Sequence, residues 1–207
     1  MKSGLLIALF CLGFAFTAQA GQWRVGPGIA FATGISDVTD IYEENYNNTH
    51  TTTQVDVQFL LPIGLGVQGT YTWDSGLRVD MGLGPLFIIR DTGTGDVDSG
   101  LDYTEVPVNA TVGYTFIPSG QVSPYIRAGV SYHFASGDYV QGSSPGLFGA
   151  VGLEFMRTRI ASVSLEVAFD QSKVEFDRYK RNSFGVVTYS TEKIKTYDTV
   201  IGLFVKF

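Results

Sequence analysis

The sequence predicts an all-β fold: an eight-stranded antiparallel up-and-down transmembrane β-barrel, preceded by a cleavable signal peptide. Three observations carry the prediction. Bulky apolar residues recur at every second position through most of residues 21–207, which is the period of a strand with two contrasting faces. The connections between these runs alternate between short and long. Charged residues make up only 16% of the chain, against an average near ~25%, so much of the surface does not face water.

Residues 1–20 read as an export leader. Lys2 supplies a positive n-region, Leu5 to Phe16 an apolar h-region, and Ala18-Gln19-Ala20 a small-x-small cleavage site. The apolar stretch falls short of the ~20 residues that a spanning helix needs. Cys11 does not mark a lipid-anchored leader, because it lies inside the h-region and Phe10 stands where a small residue is required. Cleavage after Ala20 leaves residues 21–207 as one barrel domain without cysteine, and loss of Lys2 takes the net charge from −6 to −7. Export without disulfides fits a bacterial envelope better than a small secreted domain held by cross-links. A hydrophobic content of 44% with 14% aromatics excludes disorder. A pI near 4.8 excludes a basic nucleic-acid surface.

The strands follow in order. The first places Trp23, Val25, Ile29 and Phe31 on one face and Gly26, Gly28, Ala30 and Ala32 on the other. The second keeps Val55, Val57, Phe59, Leu61, Ile63, Leu65, Val67, Tyr71 and Trp73 in phase. It is roughly double the ~9–11 residues of a spanning strand, so its upper part is expected to project beyond the bilayer, with Pro62 marking a bend or bulge. The third carries Leu77, Val79, Met81, Leu83, Phe87 and Ile89, and the fourth Val106, Val108, Ala110, Val112, Tyr114 and Phe116. The fifth carries Ile126, Ala128, Val130, Tyr132 and Phe134, and the sixth Leu147, Val151, Leu153 and Phe155. The seventh carries Val163, Leu165, Val167 and Phe169, and the eighth Tyr197, Ile201, Leu203, Val205 and Phe207. Short turns fall at 74–76, 118–123 and 157–160, and long polar loops at 36–52, 91–103, 136–145 and 172–192. No stretch after the leader reads as an amphipathic helix.

The bulky face is expected to point outward. An eight-stranded barrel interior is just wide enough for side chains to fill it, which suits the Gly, Ala, Ser, Thr and scattered charges of the other face. A soluble lipocalin-like binder would need the reverse arrangement. In lipid every backbone polar group must be paired within the protein, so the sheet must close. Aromatic residues fall into two groups along the apolar phase. Trp23, Trp73, Tyr114, Phe116, Phe155 and Phe207 lie near the short turns and termini; Phe31, Phe59, Phe87, Tyr132, Phe134, Phe169 and Tyr197 lie near the loops. Two girdles at interface depth account for that distribution.

The last strand, with Phe207 at the terminus and Tyr197, Ile201, Leu203 and Val205 at odd offsets, resembles the C-terminal assembly signature of bacterial outer-membrane barrels. Thr199 departs from that pattern, and Val205 stands where an aromatic residue is common. Pro124-Tyr125-Ile126-Arg127-Ala128-Gly129-Val130-Ser131-Tyr132, together with Val106-Pro107-Val108 and Gly113-Tyr114-Thr115-Phe116, is similar to strands of small OmpA/OmpX-like outer membrane protein beta-barrel domains. The resemblance implies an outer-membrane location, periplasmic termini, and recognition of the last strand by the barrel-assembly machinery. Fold alone does not assign a role within such a family.

Inward positions hold a polar set toward the periplasmic half: Arg24, Arg78, Asp80, Arg127, Glu154, Glu166 and Lys206. Counting from the short turns places Arg127, Glu154 and Glu166 at similar heights. Buried charges must be paired, so a salt-bridge network plugging the barrel is expected. His50 lies in a loop, and His133 shares the inward face of the fifth strand with Ser131. That pair invites a hydrolase reading, but no orienting acid is evident and the residues point away from lipid. Carboxylates and glycines at 91–103 match no complete calcium motif, and a solvated acidic turn is the default. In the last long loop Lys173, Arg178, Lys180, Arg181 and Lys193 outweigh Glu175, Asp177 and Glu192. Val174, Phe176, Val186, Val187 and Tyr189 there suggest a hairpin rising above the membrane, either as a solubilising rim or as a binder of lipopolysaccharide phosphates.

The expected function is a monomeric structural or surface-interaction barrel with a plugged interior, needing no cofactor. Its expected partners are outer-membrane lipid, lipopolysaccharide and an extracellular partner reached through the loops. The alternatives are a narrow channel, a binding barrel for a small apolar ligand and, third, a lipid-modifying envelope enzyme. No domain for binding the cell wall is expected beyond the last strand.

Overall fold

The computed structural model describes residues 21–33, 36–49, 63–90, 102–157 and 159–207, with the side chains of Ser36, Ile63, Pro85 and residues 87–90 excepted. The expectations for the leader, for His50, for Val55 to Pro62, for the carboxylates of 91–101 and for the orientation of Phe87 and Ile89 lie outside the described residues.

The described elements are β1 (Gly21–Ala32), α1 (Ser36–Thr49), β2 (Ile63–Trp73), β3 (Leu77–Arg90), β4 (Asp102–Thr115), β5 (Val122–Gly137), β6 (Val140–Ser144), β7 (Gly146–Phe155), β8 (Ser162–Asp170), β9 (Lys173–Arg181), β10 (Val187–Ile194) and β11 (Thr199–Lys206). Eight of them close a barrel in the order β1-β11-β8-β7-β5-β4-β3-β2, each antiparallel to its neighbours. Closure is made by β1 against β11, with Ile29 opposite Leu203 and Phe31 opposite Ile201. Gly26 sits at this seam: a Cβ there would collide with the Val205 carbonyl oxygen, so only glycine permits the approach. The β2–β3 turn needs glycine for another reason, since Gly76 has a φ of +92°.

The bulky face points outward. Leu65 is 70% exposed and Met81 66%, and Ile29, Val130, Val151 and Ile201 are likewise exposed. The alternate positions, from Arg24 and Thr70 to Ala168 and Lys206, are buried. That inversion of the usual burial rule is what a lipid-facing surface requires. Among the described residues no helix is long and apolar enough to cross a membrane, and the crossing is by strands, whose backbone groups are satisfied by their neighbours.

Several sequence expectations need correction. The loop at 36–52 contains α1, whose Val38, Ile41, Tyr42, Asn45 and Tyr46 recur at helical spacing and are buried. Polar residues interleaved with this stripe hid it. The loops at 136–145 and 172–192 are also structured: β6, β9 and β10 form a separate three-stranded sheet in the order β10-β9-β6. β9 and β10 form the hairpin that the apolar residues suggested. The helix and sheet pack above the barrel rather than in its wall, so the barrel stands. Tyr197 does not join the lipid-facing row. It precedes β11 at a bend, is 1% exposed, and its ring lies 4.9 Å from His133. The bend breaks the odd-position rule that holds from Ile201 onward. Trp73 is also covered, because it stacks on Tyr71 and Tyr71 stacks on Trp23. On β3 a register shift between Leu83 and Phe87 changes the phase, leaving both Leu83 and Leu86 exposed.

Candidate functional site

The barrel lumen holds polar side chains in layers, because small residues on neighbouring strands give long charged ones room to lie across it. At the end that carries the short turns Arg24, Arg78 and Arg157 converge on Glu154. Arg157 Nη1 lies 3.3 Å from Glu154 Oε2, while Arg24 Nε and Arg78 Nη1 stand 3.9 Å from the carboxylate. Ser162 donates to Glu154 Oε1 at 2.9 Å. Arg24 also donates to the carbonyls of Arg157 and Arg159, tying β1 to the β7–β8 turn. Arg78 Nε donates to Asp80 Oδ2 at 2.8 Å, Thr70 donates to Asp80 Oδ1 at 2.6 Å, and Lys206 Nζ reaches Thr70 Oγ1 at 3.2 Å. The Arg78 guanidinium lies 3.9 Å over the Tyr125 ring.

One level higher, Arg127 and Glu166 form a bidentate pair, Nε to Oε2 at 2.7 Å and Nη2 to Oε1 at 2.5 Å. They meet across Gly152, whose missing side chain leaves space for the Tyr125 ring. Tyr125 donates to Glu166 at 2.9 Å, and Arg127 Nη1 donates to Asn109 at 3.0 Å and Thr111 at 3.1 Å. All seven inward residues named from the sequence are buried. Glu154 does not share the height of Arg127 and Glu166. It belongs to the lower layer, since β7 pairs Gly152, not Glu154, with Glu166. Counting from turns missed this because strands in a closed barrel are tilted and staggered.

Above the pair, Ala30, Phe148, Ala168, Val200 and Phe204 line a cavity of about 30 Å³. A second polar cluster covers it. His133 Nδ1 lies 2.5 Å from Glu105 Oε1, and Nε2 lies 3.0 Å from Asp170 Oδ2. Tyr103 donates to Glu105 Oε2 at 2.6 Å and Thr196 to Glu105 Oε1 at 2.6 Å. Ser131 donates to Asp170 Oδ1 at 2.6 Å. Glu105 and Asp170, both missed by the sequence reading, occupy the inward phase beside Val106 and Phe169, which is the signal that could have found them. Arg157 was missed because it lies in a turn and folds back under the barrel. Ser131 donates to the acid rather than to His133, so serine, imidazole and carboxylate do not form a nucleophile–base–orienter relay.

A cap built from α1 and the three-stranded sheet closes over this cluster. Val38, Ile41, Tyr42 and Tyr46 of α1 pack on Tyr103, Val174 and Phe176. Asn45 Nδ2 donates to the Asp177 carbonyl at 2.6 Å, and Asn45 Oδ1 accepts from the Tyr179 amide at 2.8 Å, which fastens α1 to β9. Tyr42 donates to the carbonyls of Asp102 and Asp138. Burial, reinforced by the Asp138 and Asp102 carboxylates, holds its phenol well above the ordinary range. Arg178 bridges Glu192 and Glu44, and these hydrogen bonds raise its guanidinium further.

The sequence profile of the outer membrane protein beta-barrel domain matches residues 5–207. No curated protein matches the chain by sequence. Among solved structures, the outer membrane protein OprG from Pseudomonas aeruginosa is similar over 91% of this chain and 97% of its own, at 14% identity and a TM-score of 0.54. A major outer membrane protein from Thermus thermophilus is similar over 91% of this chain and 99% of its own, at 15% identity and a TM-score of 0.48.

Proposed function

Because the chain belongs to the outer membrane protein beta-barrel domain family and resides in the outer membrane, we propose that it is a closed barrel with a structural and surface-interaction role. The observation that carries this reading is the lumen, obstructed at two levels and then capped. Arg127–Glu166 with the Arg24–Arg78–Glu154–Arg157 group forms the lower plug; Glu105–His133–Asp170 forms the upper one beneath α1. Eight strands leave room for filling side chains and not for a channel beside them. Incorporated into planar bilayers, the protein gives no large, steady openings; their appearance overturns the reading.

The binding-barrel alternative is disfavoured by size. The lumen cavity of about 30 Å³ has room for one or two water molecules, whereas small-molecule pockets run to several hundred cubic ångströms. An enzymatic role is disfavoured because Ser131 and His133 are buried and each is already bonded to Asp170. Outer-membrane lipid and lipopolysaccharide surround the apolar wall. Ile201, Leu203, Val205 and Phe207, all on the lipid face, serve as the signal to the assembly machinery. Closure of β1 on β11 leaves the wall no free edge, which favours a monomer.

A further inference from the structure

The tip of the β9–β10 hairpin, at the end of the three-stranded sheet's longest pairing, differs in chemistry from the rest of the chain. Phe184 is 89% exposed, Tyr189 58% and Val186 56%. Clustered bulky apolar groups on a water-facing hairpin are costly unless something covers them. The turn is built to present them. Asn182 Oδ1 accepts from the amides of Phe184 at 3.0 Å and Val186 at 2.9 Å, and Gly185 adopts a φ of +79°.

Charge along the hairpin is segregated. At its root the cations are neutralised: Lys193 pairs with Glu175 at 2.6 Å, and Arg178 is held by Glu44 and Glu192. From Tyr179 to Thr191 there is no acidic residue. Lys180 and Arg181 lie in this stretch and form no ion pair among the described residues. An acidic chain of net charge −6 therefore presents an apolar tip flanked by two cations that have no ion pair among the described residues. Aromatic and aliphatic side chains beside Lys and Arg match a surface with acyl chains beneath phosphates.

We propose that the β9–β10 tip docks on an anionic lipid surface, with Phe184 and Val186 entering the headgroup region and Lys180 and Arg181 engaging its phosphates. The inference deepens the surface-interaction reading above and rests on it: the closed barrel anchors, and the hairpin holds a phosphate-bearing membrane presented from outside. Nine residues of β9, each rising about 3.3 Å, give the hairpin a reach near 30 Å.

The test uses the whole protein held in phosphatidylcholine nanodiscs, mixed with vesicles that either contain or lack phosphatidylglycerol and separated by flotation. Wild type floats with the anionic vesicles and not with the neutral ones, and added salt weakens the association. Lys180→Gln with Arg181→Gln, and separately Phe184→Ser with Val186→Ser, each reduce binding about tenfold or more. Heat-modifiable gel migration confirms that both variants remain folded, as expected for the exposed Lys180, Phe184 and Val186 and the half-buried Arg181. Absence of vesicle binding by wild type, equal binding to neutral vesicles, or unchanged binding by both variants overturns the proposal. Capture of a soluble protein or glycan by the tip without vesicle binding also overturns it. Bilayer conductance of the same preparations reports on the closed lumen independently, so failure at the hairpin is distinguishable from failure of the barrel reading.

Discussion

Replacing Arg127 by Ala isolates the central bond of the lumen. The guanidinium makes four hydrogen bonds there: two to Glu166, one to Asn109 and one to Thr111. Its removal leaves the Glu166 carboxylate 4% exposed, with Tyr125 as its remaining donor. Breaking a buried pair from one side costs about 3–5 kcal/mol, most of it the penalty of an uncompensated charge. Glu166→Gln by itself strands the guanidinium and costs a similar amount. The double replacement Arg127→Met with Glu166→Leu removes both charges, keeps volume in the lumen and is expected to lie within about 1 kcal/mol of wild type. Urea unfolding in lipid vesicles, followed by tryptophan fluorescence and run on Arg127→Met, Glu166→Leu and their combination, closes the cycle, each single variant costing about as much as Arg127→Ala. The coupling between the two sites is then about 5 kcal/mol or more, roughly a 5,000-fold change in the folded-to-unfolded ratio. If Arg127→Ala costs under about 1 kcal/mol, the pair is not desolvated and the plug argument fails.

Other outcomes follow from the same geometry. Gly26→Ala sets a methyl group against the Val205 carbonyl, so the β1–β11 seam does not close and the heat-modifiable folded band is lost. Tyr42→Phe removes the hydroxyl that donates to Asp102 and Asp138; it weakens the cap by about 1 kcal/mol, seen as faster amide exchange in α1 with β5 unchanged. The Tyr42 phenol is held above its ordinary value by burial and nearby carboxylates. Its contribution is therefore fully present below pH about 10 and is lost as the phenol ionises on further alkalisation. An absorbance titration of tyrosinate should show α1 releasing with that ionisation, and release at neutral pH would contradict the assignment. Phe207→Ser lowers the amount reaching the outer membrane in cells while leaving detergent refolding intact; equal loss in both assays would make Phe207 structural and not a signal.

Much of the barrel was legible because its determinants are local. Alternation such as Val163, Leu165, Val167 and Phe169 against Ser162, Ser164, Glu166 and Ala168 assigns faces without knowledge of any neighbour, and the pleat enforces it. The inward set from Arg24 to Lys206 was legible for the same reason. What failed were statements of height and of local breaks in phase. Glu154 lay a layer below Glu166, Tyr197 turned inward at a bend, and Arg157 folded back from its turn. The helix of residues 36–49 was overlooked because its apolar stripe is diluted by Asn, Asp and Glu and gains its meaning only against Val174 and Phe176.

Within each regular strand, away from the β3 register shift and the bend at Tyr197, the sequence by itself determined which side chains meet lipid and which meet the lumen, since side-chain direction there follows the parity of position. Tertiary structure alone decided which lumen groups meet: that Arg127 takes Glu166 across Gly152, that Arg157 and two further arginines share Glu154, and that His133 stands between Glu105 and Asp170. Apart from Arg157 and Glu154, which are neighbours in the chain, those contacts join residues far apart in sequence, and the stagger that sets them is fixed only when the sheet closes on itself.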